Sequence, residues 1–425
     1  MTLRLAAAVA LGWLASTALA GACTIAGPAQ PTQIALLANS FPALQFLADQ
    51  MKSCAGPRLT VEAKLTPDIA VQARTMLAAG GTAPFAIVQV SNGTFTEFVP
   101  KGYLQPITDL VKKYWDTYNL ADIPPQLWKQ VTYDGQIYAV PFETNAEVLF
   151  YRKDLLAKAG IAVPTSYAAF VAAAEKLKAA DPAMPAPVAE TWGGNWSLAN
   201  EFGNIYQSLG GKWFDAKGQP TFNGAKGVHA VELMRTLLPV MSPNALSFSA
   251  DDTMVAFQQG HAALGVVWAS RAANMDAPDV SRVAGKVAFT AAPPAEAGGV
   301  PSSALWWDGF VLPKTIGVDR DLAFRVIMEA TSQASYRKGG NVTFWARKSV
   351  TSDPALVAAN RYWTAMNGTI AGGAVTNPTA PYFNVAQTAV GAVLADALKG
   401  ATTPKQALDR AAANYLRQAH AQGYF

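Results

Sequence analysis

The sequence predicts an α/β protein divided between two lobes. Apolar strand patterns alternate with helix patterns from residue 34 onward, and 425 residues exceed what one core comfortably holds. Composition agrees: 51% of the residues are apolar and 15% charged, the balance of packed globular lobes rather than of a disordered chain.

The chain begins with Arg4 and no acid, an apolar run from Leu5 to Leu14, and small residues ending in Ala18-Leu19-Ala20. That order predicts a secretory signal peptide over residues 1–22, with Ala20/Gly21 the favoured cleavage point. The run is shorter than the roughly 20 residues a bilayer span needs. Charges, Pro or Gly interrupt every later apolar segment. The mature chain is therefore expected to be soluble and to lie outside the cytoplasm, in the periplasm; it is also expected to be a monomer. Its two cysteines, Cys23 and Cys54, bracket the first strand and helix, and in an oxidising compartment they are expected to pair. In the alternative reading Ala20-Gly21-Ala22-Cys23 loosely resembles a lipobox, which makes Cys23 a lipid anchor and leaves Cys54 unpaired.

Ile34 to Ala38 reads as a strand, Leu44, Leu47 and Met51 recur at helix spacing, and Leu59 to Leu65 returns to strand alternation. Gln72 to Ala79 follows as a helix ended by Gly80-Gly81, then Ala86 to Val90 as a buried strand. Ser166 to Ala180 is helical, with Phe170, Ala174 and Leu177 on one face, and Asp181 to Pro187 is a loop. The last helix starts at Thr403-Pro404-Lys405-Gln406, which combines a capping Thr, a Pro at the first helical position and a Gln three residues after the cap.

Several function classes lack their signatures. Net charge is +4 with Lys and Arg scattered, so nucleic acid is not an expected partner. Gly80-Gly81 has neither the spacing nor the Lys of a phosphate or dinucleotide loop. The three histidines, His229, His261 and His420, have no metal spacing, and no HExxH helix or GxSxG elbow occurs. No cofactor, metal or catalytic residue is expected.

Four passages carry a family resemblance. Asp134-Gly135-Gln136-Ile137-Tyr138-Ala139-Val140-Pro141-Phe142, continuing through Val148 to Leu156 and Ala159-Gly160-Ile161, resembles the "DGKxYAVP…LYYNKDLFKKAGI" passage of the bacterial extracellular solute-binding proteins that include the maltose- and glycerol-phosphate-binding proteins. Met254 to Trp268, Trp306-Trp307-Asp308-Gly309 with Pro313, and Val393 to Leu408 resemble the same family in the same order. The resemblance implies a two-lobed periplasmic binding protein fold of type II, with a hinged interlobe cleft and several crossings. Matched motifs put the crossings near Phe142 to Ala146, Leu305 to Asp308 and Ser349 to Pro354. Lobe one then holds residues 24–143 plus 306–350, and lobe two 144–305 plus 351–425. The resemblance further implies a binding protein rather than an enzyme, one that hands a sugar or polyol to the transmembrane permease subunits of an ABC importer.

A sugar presents hydroxyls, read by carboxylates, amides and Arg, and a weakly apolar C–H face, read by an aromatic plate. Strand-end positions nominate Asn39, Ser40, Phe41, Gln89 and Asn92. The first crossing nominates Glu143, Thr144 and Asn145. Trp192-Gly193-Gly194-Asn195-Trp196 places two rings and an amide on one turn, nominating Trp192, Asn195 and Trp196 as a stacking plate. Trp268 and Arg271 close the second motif, with a surface ion pair the alternative for Arg271. Trp306, Trp307 and Asp308 lie at the second crossing, and strand alternation sends the two rings opposite ways, with one in the core. Phe344, Arg347 and Tyr382 complete the set. A secreted glycoside hydrolase or lyase using Glu143, Glu190 and Asp308 is the rival function. A glycerol-phosphate-type solute is the rival ligand, disfavoured because Thr376 to Leu398 holds no basic residue.

Overall fold

The computed structural model describes residues 23–425; the expected signal peptide lies outside the described residues. Ten strands form three sheets: β1 (Thr32–Ala38), β2 (Leu59–Leu65), β3 (Ile87–Ser91), β4 (Thr132–Tyr133), β5 (Gln136–Ile137), β6 (Ala139–Asn145), β7 (Glu147–Arg152), β8 (Leu264–Trp268), β9 (Val287–Ala291) and β10 (Trp306–Val311). The first sheet runs β2-β1-β3-β10-β6, parallel among β1, β2 and β3 and antiparallel where β10 enters between β3 and β6. The second, β8-β7-β9, is antiparallel. β4 and β5 form a hairpin whose two-residue turn, Asp134-Gly135, takes φ values of 46° and 69°, as a tight hairpin turn requires.

The elements read from the pattern form for the reasons that predicted them. Leu44, Leu47 and Met51 are fully buried on the helix Pro42–Lys52. Gly80 and Gly81 end the helix Ile69–Ala79 at φ 71° and 74°. Ser166 caps Tyr167–Ala180 through the Ala169 N–H. Thr403 and Gln406 close a reciprocal capping box on Pro404–Ala421.

The chain crosses between the sheets three times, and the first connection is short. One residue, Ala146, separates β6 in the first sheet from β7 in the second, and β9 leads back through Ser303 to Leu305 into β10. The helix Trp363–Ala371 then packs on β9 and β7, returning the chain to the second sheet. Cys23 and Cys54 are disulfide-bonded, which ties the first described residue to the end of Pro42–Lys52. The bond occupies the sulfur that lipidation would use, so the lipobox reading is set aside. Among the described residues no helix is long and apolar enough to cross a membrane.

Candidate ligand-binding cleft

The register of β10 against β6 builds the floor of the cleft. Trp306 lies opposite Asn145, Trp307 opposite Thr144 and Asp308 opposite Glu143. Alternation therefore gives Trp306, Asp308, Glu143 and Asn145 one face, and Trp307 and Thr144 the other. The register shifts between Asp308 and Gly309, where a Cβ would come within 2.9 Å of the Val140 carbonyl oxygen, so only Gly fits the bulge.

Glu143, Asn145 and Asp308 line a cavity of about 600 Å³. Phe41 and Pro42 close one side, Asn341 to Thr343 another, and Ser270, Arg271 and Asn274 project from the far side after β8. The polar floor is one connected chain. Gln89 Nε2 donates to Asp308 Oδ1 at 2.6 Å, and its Oε1 accepts from the Asn39 N–H at 3.4 Å. Asp308 and Glu143 share a hydrogen bond, and the Thr343 hydroxyl donates to Glu143. Burial, and then the Asp308 charge, push the Glu143 carboxyl well above the usual range; burial pushes Asp308 up to about 6. Burial and mutual repulsion therefore favour one proton shared by the pair over two adjacent negative charges. Asn145 Nδ2 donates to the Ser270 hydroxyl at 3.1 Å, and Arg271 pairs with Asp251 at 3.2 Å, the ion pair read as its alternative.

Beside the cavity stand three tryptophans. Trp196 and Trp268 stack at 6.4 Å between ring centroids, and Trp306 meets both edge-on at 5.3 and 6.1 Å. Trp196 is 49% exposed, an unusual state for so large an apolar ring. The group adjoins the cavity because Trp306 pairs with Asn145 and Ser270 follows Trp268 by two residues.

The structure brings together Phe41, Gln89, Glu143, Asn145, Arg271 and Asp308 at or beneath the cavity, with Asn39 bonded to Gln89 and Ser40 exposed beside it. Asn92 is buried at the start of Asn92–Phe98 with its side-chain oxygen unpaired. Asn195 is exposed next to Trp196.

Other nominations are corrected. Trp192 is fully buried in the core of the second lobe and donates to Glu190 at 3.0 Å, so it cannot serve as a plate. Trp307 is buried edge-on against Phe95, which leaves Trp306 as the ring on the cleft face. Thr144 faces away, and its amide donates to the Phe344 carbonyl. Phe344 is buried against Trp363. Arg347, 1% exposed, clamps the carbonyls of Thr331 and Asn119. Tyr382 packs among Phe214, Tyr415 and Phe425, away from the cavity.

Pattern reading missed Ser270, Asn274, Asn341 and Thr343. The one available signal was Gly339-Gly340, since Gly340 at φ 50° turns the chain toward Asn341. The hydrolase reading fails on geometry. Glu143 and Asp308 are in hydrogen-bond contact, closer than the roughly 5 Å or more that glycosidases need between their carboxyls, and Glu190 is buried elsewhere.

Residues 35–317 match the bacterial extracellular solute-binding protein family. The chain belongs to that family. As a member it is a solute-binding protein of the ABC-transporter type rather than an enzyme. The mannitol-binding protein of Pseudomonas aeruginosa is 26% identical over 385 residues, 85% of this chain and 84% of the relative. An ABC transporter solute-binding protein of Agrobacterium radiobacter K84, solved with ribitol, superposes with a TM-score of 0.80 at 26% identity, covering 92% of this chain and all of the other. Maltose-bound MalE3 of T. maritima shares the fold, with a TM-score of 0.78 at 23% identity over 91% of this chain and 99% of that one. The two-lobed periplasmic binding protein architecture is thereby established for this member of the family.

Proposed function

We propose that the protein captures a neutral polyol or sugar in its interlobe cleft, closes over it and delivers it to the permease subunits of an ABC importer in the periplasm. The observation that carries this reading is the buried chain Asn39–Gln89–Asp308–Glu143–Thr343 set beside three tryptophans. It supplies donors and acceptors for hydroxyls along one edge of a ligand and flat apolar faces for its C–H surface. The names of the relatives support an alditol or sugar. Arg271 is the single basic residue lining the cavity and it already has a partner, while the floor holds two carboxyls, so a phosphorylated ligand is disfavoured. In this reading the lobes are residues 24–143 plus 306–350 and 144–305 plus 351–425, and the mature protein works as a monomer.

Calorimetric titration with mannitol, ribitol, maltose and sn-glycerol 3-phosphate tests it. Saturable one-site binding of a neutral compound, weakened in Trp306→Ala and not displaced by the phosphate ester, is expected. Binding of the phosphate ester alone would overturn the reading.

A further inference from the structure

A second crevice opens on the reverse side of the crossing. It measures about 740 Å³, more than the cleft cavity, and shares no lining residue with it. The helix Pro125–Gln130 forms one wall, the turn after the helix Asn195–Ser208 the other, and Leu305 with residues 373–379 lies between them. Leu305 precedes Trp306, and neighbouring side chains of an extended segment point to opposite sides. Trp306 faces the tryptophan cluster, and Leu305 faces this crevice.

The chemistry of its lining is one-sided. No Asp or Glu lines the crevice, whereas Lys129 and Lys212 approach from opposite walls, and neither ammonium has a partner among the described residues. Deeper in, Asn377 is 6% exposed; its side-chain oxygen accepts from Gln207 Nε2 at 3.2 Å, but its Nδ2 donates to nothing. Trp213, 2% exposed, also lines the crevice, but the edge bearing its indole nitrogen lies against Gly203 of the helix Asn195–Ser208. Gln130 Nε2 reaches across to the Thr376 hydroxyl at 2.9 Å, which links the two walls. Buried donors are seldom left without an acceptor. The unpartnered Asn377 amide in an acid-free crevice with two unpaired cations calls for a ligand rich in anionic oxygen.

We propose that this crevice is a second binding site, for a small organic anion whose carboxylate or phosphate oxygens accept from Asn377 and pair with Lys129 and Lys212. Such an anion touches both walls beside the crossing, so it holds them at one spacing.

Titration calorimetry of the mature chain at low ionic strength, with citrate and separately with inorganic phosphate, tests the site and tells carboxylate from phosphate. One-site saturable binding of at least one anion is expected, and it persists in the cleft variant Trp306→Ala. The double variant Lys129→Ala/Lys212→Ala, altered only at exposed positions, weakens that binding by about tenfold or more, as loss of charge-assisted contacts requires. Asn377→Asp weakens it similarly by replacing a donor with a like charge. The proposal is overturned if neither anion binds, if the lysine double variant binds as tightly as the parent chain, or if Trp306→Ala abolishes anion binding.

Discussion

Trp306 and Trp307 are adjacent and chemically identical, yet the pairing of β10 gives them different work. Trp306→Ala removes a half-buried ring beside the cavity and should weaken polyol or sugar binding about tenfold, roughly 1.4 kcal/mol, with little change in melting temperature. Trp192→Ala should do the reverse: a fully buried ring is lost at a cost of about 3–5 kcal/mol, while affinity measured below the melting point stays unchanged. Titration calorimetry and thermal unfolding of both variants separate the two roles. Asp308 carries a second expectation. Ionised, it accepts hydrogen bonds; as pH falls through about 6 it gains a proton and loses acceptor capacity. Affinity for the neutral ligand should therefore fall between pH 7.5 and 5, and Asp308→Asn should flatten that profile. The Cys23–Cys54 bond closes a loop of 31 residues, so Cys23→Ser/Cys54→Ser should lower stability by about 3 kcal/mol in denaturant titration.

At the scale of elements, β7 and the helix Asn195–Ser208 enclose three carboxyls without a cation. Glu147, Glu190 and Glu201 are all buried; burial raises Glu147 to about 7 and Glu190 to about 8, and puts Glu201 well above the usual range. Asn200 and Asn204 donate to Glu147 at 3.3 and 2.5 Å, and Asn204 also accepts from the Ala304 N–H in the second crossing. Each folded-state value lies above the unfolded one. The stabilisation is thus fully present below about pH 4.5 and is lost as pH rises through 7 to 8. Surface carboxylates are already ionised in that window. Between pH 5.5 and 8.5 the melting temperature should fall, by an amount on the order of a few kcal/mol in stability, and Glu201→Gln should lessen the slope by fixing the neutral form. A flat profile would refute this account. Period and caps located β1, β2, β3 and the helices around them, because local pattern decides burial there. Glu147 and Trp192 gave no sign of being core residues, since their partners Asn200, Asn204 and Glu190 are far from them in sequence or pointed by tertiary packing. Asn341 and Thr343 were invisible for the same reason: they reach the cleft through the bridge between Glu143 and Trp345, a long-range pairing.

For the whole molecule, the side chains that line the cavity are divided between the two sheets. Phe41, Gln89, Glu143, Asp308 and Thr343 belong with the first sheet, while Ser270, Arg271 and Asn274 follow β8 in the second. A ligand held by the first set alone keeps its remaining hydroxyls in water. Bringing up the second set removes that water, and each polar group then left unpaired costs about 1–3 kcal/mol. In the proposed capture, only a ligand whose hydroxyls satisfy both sets would make closure favourable, so selectivity and closure would be one event. A single residue, Ala146, links β6 to β7, while residues 292–305 join β9 to β10, so the first crossing offers the fewest backbone torsions for such closure. Small-angle scattering should therefore show the radius of gyration falling when the calorimetrically identified ligand saturates the protein. Ser270→Ala/Asn274→Ala, which strips second-sheet contacts and leaves the floor intact, should bind more weakly and compact less. Identical scattering curves with and without ligand in the unmodified chain would exclude hinge closure as the means of capture.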